Sequence, residues 1–351
     1  MAVNPLSPNP LIPATSGLPP LLDAQGLAKL FPVSHRSFWQ PRRFVHAVDD
    51  VSLALPPGES LGLAGESGCG KTTLGKMLVK LVEPTRGQVR VRKPQTGPGA
   101  DPFWSLAGLK GRELKAFRRQ VQMVLQDPYE SLNPRRTIYD TVAEPLSVQG
   151  LGSALDRLDR VRRMLEQAGL TPAGNYLFRY PHELSGGQRQ RVAIARALVV
   201  GPSFVVADEP TSMLDVSSRT AIMNLMLRLA QELGITYLYI THDLAVARYM
   251  CQRVAVMYLG KIVEVADTEE LLSQPQHPYT QALLSAVPVP DPAYRRQPVA
   301  LLGEATQPVD PPARCRFYDR CPLRVDQCRD SPHPPLEAKA GAGHLVACYR
   351  V

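Results

Sequence analysis

The chain has 351 residues, 44% apolar and 21% charged, which is enough apolar material for a sizeable core and too much for an extended disordered chain. No run approaches the roughly 18 consecutive apolar residues that a membrane span needs. The start, MAVNPLSPNPLIPATSGLPP, lacks basic residues and is broken by prolines, a poor secretory signal. The net charge of +8 invites an anionic partner, whether membrane surface, nucleic acid or nucleotide, without choosing among them.

Residues 1–20 read as a flexible proline-rich tail. From about Leu21 short β-rich runs alternate with helical patterns, which predicts an α/β domain with a largely parallel sheet. Strands are expected at Glu59–Gly65, Ser203–Asp208 and Ile235–Thr241, the last two apolar enough to be buried on both faces. A helix is expected over Leu74–Val82. Between Asp127 and Leu184 the pattern turns helical: Leu158, Val161, Leu165 and Ala168 share one face and Arg157, Arg160, Arg162 and Arg163 take the others. After about Pro275 prolines multiply and periodicity fades, marking an appended C-terminal region, residues 275–351.

Gly65-Glu66-Ser67-Gly68-Cys69-Gly70-Lys71-Thr72 fits the phosphate-binding pattern G-x-x-x-x-G-K-[ST], between a predicted strand and a predicted helix, with Thr73 following. Glycines let backbone N–H groups curl around phosphate oxygens, and the helix N-terminus adds partial positive charge. Lys71 supplies a point charge for the terminal phosphates, and the Thr72 hydroxyl can ligate Mg²⁺. Cys69 reads as a small residue tolerated in the loop. The run Phe204–Glu209 ends a buried strand in two carboxylates; Asp208 would hold Mg²⁺ and Glu209 would polarise an attacking water.

Leu184-Ser185-Gly186-Gly187-Gln188 resembles the signature motif of ABC transporter ATPases, and the family's other motifs follow in order over about residues 22–270. The resemblance implies an ABC-type P-loop core with an antiparallel β subdomain and a helical subdomain (about 127–200) within a nucleotide-binding domain at 21–274. It implies that Gln126 is the Q-loop glutamine, also reaching Mg²⁺, that Glu209 is the catalytic glutamate and that His242 is the switch histidine. Ser212-Met213-Leu214-Asp215 resembles the D-loop. Ser185, Gly186, Gly187 and Gln188 would then serve ATP bound to an opposite subunit. The aromatic that stacks on adenine falls on Phe31, with Phe38, Trp39 and Phe44 as alternatives.

Gln126–Pro134, Tyr180–Glu183 and His277–Leu284 resemble segments of oligopeptide and dipeptide importer ATPases, especially the second of their paired subunits. That resemblance implies a peripheral protein on the cytoplasmic membrane face. Its partners would be two permease subunits, a paralogous or identical ATPase subunit, and, through the permease, an extracytoplasmic binding protein, with no nucleic acid. Tyr129 and Leu132 are candidate permease contacts. The cargo the resemblance implies is dipeptides or oligopeptides, with nickel or another small solute as the alternative, and an exporter or regulatory ATPase or a soluble DNA-repair ATPase are the rival uses of the same engine.

Cys315, Cys321, Cys328 and Cys348 follow C-x5-C-x6-C-x19-C, and four thiols in one short stretch suit an all-cysteine zinc or iron–sulfur site. The run Cys315–Pro322 resembles the cysteine motif that ends peptide-importer ATPases, some of which bind a [4Fe–4S] cluster. Cys251 stands apart and reads as a small buried hydrophobe.

Overall fold

A computed structural model describes residues 19–33, 42–94, 99–286, 299, 301–304, 306–339 and 343–351. The strands are β1 (Leu22–Pro32), β2 (Phe44–Leu55), β3 (Ser60–Ala64), β4 (Arg86–Arg92), β5 (Phe103–Ser105), β6 (Val121–Val124), β7 (Phe204–Asp208), β8 (Thr236–Thr241), β9 (Arg253–Tyr258), β10 (Lys261–Asp267), β11 (Glu337–Ala338) and β12 (Leu345–Val346). They form two sheets. A four-stranded antiparallel sheet runs β2-β1-β4-β5, and an eight-stranded sheet runs β11-β12-β10-β9-β3-β8-β7-β6. In the larger sheet β9, β3, β8, β7 and β6 are parallel, and β10, β12 and β11 extend one edge antiparallel.

Every residue of β3, β7, β8 and β9 is buried, which is why these segments are near-continuous apolar runs. The observed strands fall within one residue of the expected ends. The first helix differs more: it runs Lys71–Leu78 and stops short of Val82. Lys80 adopts a left-handed φ of 56°, its N–H bonds Met77 O at 3.1 Å, and Leu81 N–H reaches back to Lys76 O at 2.8 Å. That pair of bonds closes the helix, a termination that normally uses glycine and is therefore invisible as a glycine signal.

Helices Ile138–Gln149, Ala154–Gln167 and Gly186–Leu198 pack on one another and on one face of the sheet. Ser153 and Asp156 form a reciprocal capping box that starts the second of them. Val161, Leu165 and Ala168 are buried, with Leu158 packed at the margin. Leu132 is also in this core, 2% exposed, so it is not a permease contact; Tyr129 is exposed, with the Arg189 guanidinium 4.1 Å over its ring.

The four-cysteine segment shares a third apolar cluster with Ala64, Leu244, Tyr258 and Tyr279. His277, helix Pro278–Ala286 and β12 complete that join. Glu264, fully buried, accepts from the backbone N–H of Gln276 (2.7 Å) and of His277 (3.1 Å) and pairs with His344 Nε2 at 2.7 Å. His277 is itself buried, and its Nδ1 accepts the Tyr279 N–H at 3.1 Å, a bond that a protonated ring loses. Burial pulls its pKa down to about 4, against the opposing pull of Glu264.

The unfolded chain binds this proton below about pH 6.5, whereas the folded one refuses it until about pH 4. The stability that neutral His277 contributes is thus complete above that window and is lost as pH falls through it. We expect His277→Asn, which keeps an acceptor for Tyr279, to flatten the decline in melting temperature across this window. An unchanged slope would show that His277 takes its proton without cost to the fold.

Candidate nucleotide site

The site lies where the parallel strands end. Gly65 follows β3, Gln126 lies just beyond β6, Glu209 follows β7 and His242 follows β8. The registers Ala64↔Thr241 and Asp208↔Ile240 bring these ends side by side. Ligands of open α/β sheets bind outside the carboxyl ends of the strands for this reason.

The loop from Gly65 to Gly70 then turns into helix Lys71–Leu78. Gly65 and Gly70 cannot be replaced: φ is 151° and 111°, and a Cβ would sit 2.2 Å from Met257 O and 2.0 Å from Ala47 O. Lys71 is buried, and its Nζ donates to Gly65 O at 2.7 Å and Glu66 O at 2.8 Å. Cys69 is buried with its Sγ 3.8 Å from the same ammonium. Burial raises the Cys69 thiol above its ordinary value, which leaves it a packing residue in the loop.

Thr72 Oγ1 donates to Asp208 Oδ1 at 3.1 Å. Burial pushes the Asp208 carboxyl above the usual carboxylate range, opposed by that hydrogen bond. A hydroxyl beside a carboxylate that burial disfavours in its charged form fits a hard divalent cation such as Mg²⁺. Glu209 sits at a left-handed φ of 43°, a sparsely populated conformation for a non-glycine residue, its N–H held by Ile240 O at 3.0 Å. Its Oε2 accepts from Gln126 Nε2 at 3.0 Å and its Oε1 lies 3.0 Å from His242 Nδ1.

A cleft of about 700 Å³ opens onto this constellation. It is lined by the phosphate-loop residues Ser67, Gly68, Gly70 and Lys71–Thr73, by the mutually bonded Gln126, Glu209 and His242, and by Phe31, Val45, Ala47, Gln307 and Pro308. Phe44 is not on the cleft, and Phe38 and Trp39 lie outside the described residues. Ser185, Gly186, Gly187 and Gln188 do not line it either. They open helix Gly186–Leu198, where Ser185 Oγ accepts the Gln188 N–H at 3.3 Å and Gln188 Oε1 accepts the Ser185 N–H at 3.0 Å. Ser185 is exposed and Gly186, Gly187 and Gln188 are half-buried.

Three comparisons decide the family. Residues 48–212 match the family described as ABC transporter, and residues 263–328 match that described as oligopeptide/dipeptide transporter, C-terminal region. The dipeptide transport ATP-binding protein DppF of Haemophilus influenzae is 44% identical, over 95% of this chain and 97% of its own length. The chain belongs to the ABC transporter ATPases. The oligopeptide transport ATP-binding protein AppF of Bacillus subtilis is 42% identical, over 94% of this chain and 97% of its own. Among solved structures, the ATP-binding cassette MJ0796, a dimer in a post-hydrolysis state with ADP and Pi, is 30% identical with a TM-score of 0.59, over 70% of this chain and 98% of its own. Among the described residues no helix is long and apolar enough to cross a membrane.

Two features of this ABC ATPase escaped sequence reasoning. Glu66 does not turn its carboxylate to the cleft: Arg320 grips it with two bonds, of 2.8 and 3.1 Å, and its backbone N–H donates to Tyr279 Oη at 2.9 Å. Gln307 and Pro308 join the cleft from the same distant segment. No local pattern could signal either, since the bonded partners of Glu66 are 213 and 254 positions away.

The four C-terminal cysteines all lie among the described residues. Cys315, Cys321 and Cys328 are buried and Cys348 is half-buried, all as free thiols. Among the described residues no three His, Cys, Asp or Glu side chains are gathered to hold a metal ion. Cys315, Cys321 and Cys328 pack with Phe317 and Tyr279 in the third apolar cluster, and burial pushes the Cys315 thiol up to about 12, with the neighbouring Cys328, Cys348 and Cys321 adding to the rise.

Proposed function

We propose that this ATPase energises a binding-protein-dependent importer of dipeptides or oligopeptides, working in a nucleotide-sandwich dimer on the cytoplasmic face of the membrane. The observation that carries the motor reading is the convergence of Gln126, Glu209 and His242 in the phosphate-loop cleft. The match of residues 263–328 to the peptide-transporter C-terminal region supports the cargo. The transport names of the relatives favour this reading over a DNA-repair ATPase or an exporter.

In the reading, Lys71 and the loop N–H groups hold the β- and γ-phosphates, and Phe31 stacks on the adenine. Mg²⁺ held by Thr72 and Asp208, with Gln126 nearby, would neutralise charge on the phosphates. Glu209 accepts a proton from the attacking water, while Gln126 and His242 fix its carboxylate in place. Ser185–Gln188 of one subunit close on the nucleotide of the other, a reading supported by their absence from the lining of their own cleft. Two permease subunits, a paralogous or second identical ATPase subunit and an extracytoplasmic binding protein complete the assembly, with Tyr129 on the permease-facing surface. A [4Fe–4S] cluster at Cys315, Cys321, Cys328 and Cys348 has the sequence resemblance in its favour and the observed packing against it. Iron and zinc analysis of anaerobically purified protein decides that point, and no step of the cycle depends on it.

Uptake of labelled di- and oligopeptides by the native cells, with redundant peptide systems removed, tests the cargo. Glu209→Gln at the chromosomal locus should abolish uptake. Preserved uptake would defeat peptides as cargo and redirect the search to nickel and other small solutes.

A further inference from the structure

The segment Gln307–Asp310 is built into the edge of the antiparallel sheet beside the nucleotide cleft. Pro308 O accepts the His46 N–H at 2.9 Å, Asp310 N–H donates to Phe44 O at 2.9 Å, and Asp310 Oδ1 accepts the Phe44 N–H at 3.0 Å. Val309 bridges Val45, and Pro308 is buried. The strand thus extended, β2, contributes Val45 and Ala47 to the cleft that Phe31 also lines, and the docked segment adds Gln307 and Pro308. Together these residues give the cleft an aromatic ring, two small apolar side chains, a proline and the Gln307 carboxamide. Such a lining suits a planar heterocycle with polar edges.

A carboxamide carries one acceptor oxygen and one donor NH₂. Adenine offers a matching pair, an acceptor at N7 and a donor at its 6-amino group, whereas guanine offers two acceptors there. We propose that Gln307, held at the cleft by the docking of residues 308–310 on β2, is the base-reading residue of this site and selects adenine over guanine nucleotides. The inference rests on the nucleotide-site reading and goes beyond it: the C-terminal region, and not the ATPase core alone, sets base specificity.

Calorimetric titration of the full chain with Mg-ATP and with Mg-GTP tests this. The wild type should bind Mg-ATP about fivefold or more tightly than Mg-GTP, the lower end of what one paired base edge is worth. Gln307→Ala and the length-preserving Gln307→Met should each weaken ATP to the GTP value and leave GTP unmoved. A wild type without preference, unchanged affinities, or equal weakening of both nucleotides overturns the proposal, the last because it marks a wall that packs without reading the base. A wild type that binds neither nucleotide defeats the nucleotide-site reading itself, and is thereby told apart from a failure of Gln307.

Discussion

Glu209→Gln should lower Mg-ATP hydrolysis by about 10²–10⁴-fold, the range that a positioned general base supplies, while nucleotide binding persists. The substitution is nearly isosteric, so the left-handed backbone at Glu209 and its bond to Ile240 O stay as they are. What is lost is a carboxylate already held from two sides, by Gln126 Nε2 and by His242 Nδ1, both at 3.0 Å. Lys71, Thr72 and the loop N–H groups, the proposed partners of the phosphates, are untouched. Binding without turnover should trap the closed state, and the variant with Mg-ATP should elute as a dimer where the wild type does not. Gln126→Ala and His242→Ala should show smaller losses, because each removes one of the two groups that orient Glu209 and leaves the base itself. Wild-type turnover in Glu209→Gln would sink the assignment of the base. A monomeric, ATP-loaded variant would leave the base standing and sink the sandwich.

The phosphate loop, the carboxylate pair, Gln126 and His242 were legible in the sequence for one physical reason. Each belongs to a short pattern attached to the end of an apolar run, and parallel strands bring such ends together wherever they lie in the chain. Phe31 was one aromatic among several, since stacking positions have no spacing rule; of the two candidates among the described residues, Phe31 and Phe44, Phe31 lines the cleft. Leu132 was misread because an apolar residue in a loop-like run can be turned inward by the helices behind it, as it is here. The four cysteines show the converse limit. Spacing reveals that thiols are close in sequence, and the fold brings Cys321, Cys328 and Cys348 within electrostatic reach of Cys315, while their ligand is a question for metal analysis. Tyr279 and Arg320 were legible only as members of family-like segments, and Gln307 and Pro308 not at all, because their contacts are created by the docking of the C-terminal region on the core.

Arg320 is where that docking should matter most for stability. Its side chain is 11% exposed and pairs with Glu66, 30% exposed, through both guanidinium NH₂ groups. The same residue is tied to its own segment by the Arg320 N–H to Phe317 O bond (3.1 Å) and by the Leu302 N–H to Arg320 O bond (3.1 Å). Glu66 in turn anchors Lys71 through its carbonyl. Removing Arg320 strands a partly buried carboxylate beside the phosphates' own binding loop. Loss of a fully buried partner costs about 3–5 kcal/mol, and partial exposure of Glu66 reduces this to about 2 kcal/mol. Arg320→Ala should therefore unfold at lower denaturant and bind Mg-ATP more weakly, by about tenfold if about 1.4 kcal/mol of that loss is felt at the loop. Glu66→Gln in the Arg320→Ala background should recover part of the stability, since it discharges the stranded group. Arg320→Lys should rescue little, because one ammonium cannot replace two parallel N–H bonds on a carboxylate. Unchanged unfolding and unchanged ATP affinity in Arg320→Ala would reduce the contact to a solvated ion pair. Lost stability with unchanged affinity would make it a staple of the C-terminal region that leaves the phosphate loop alone.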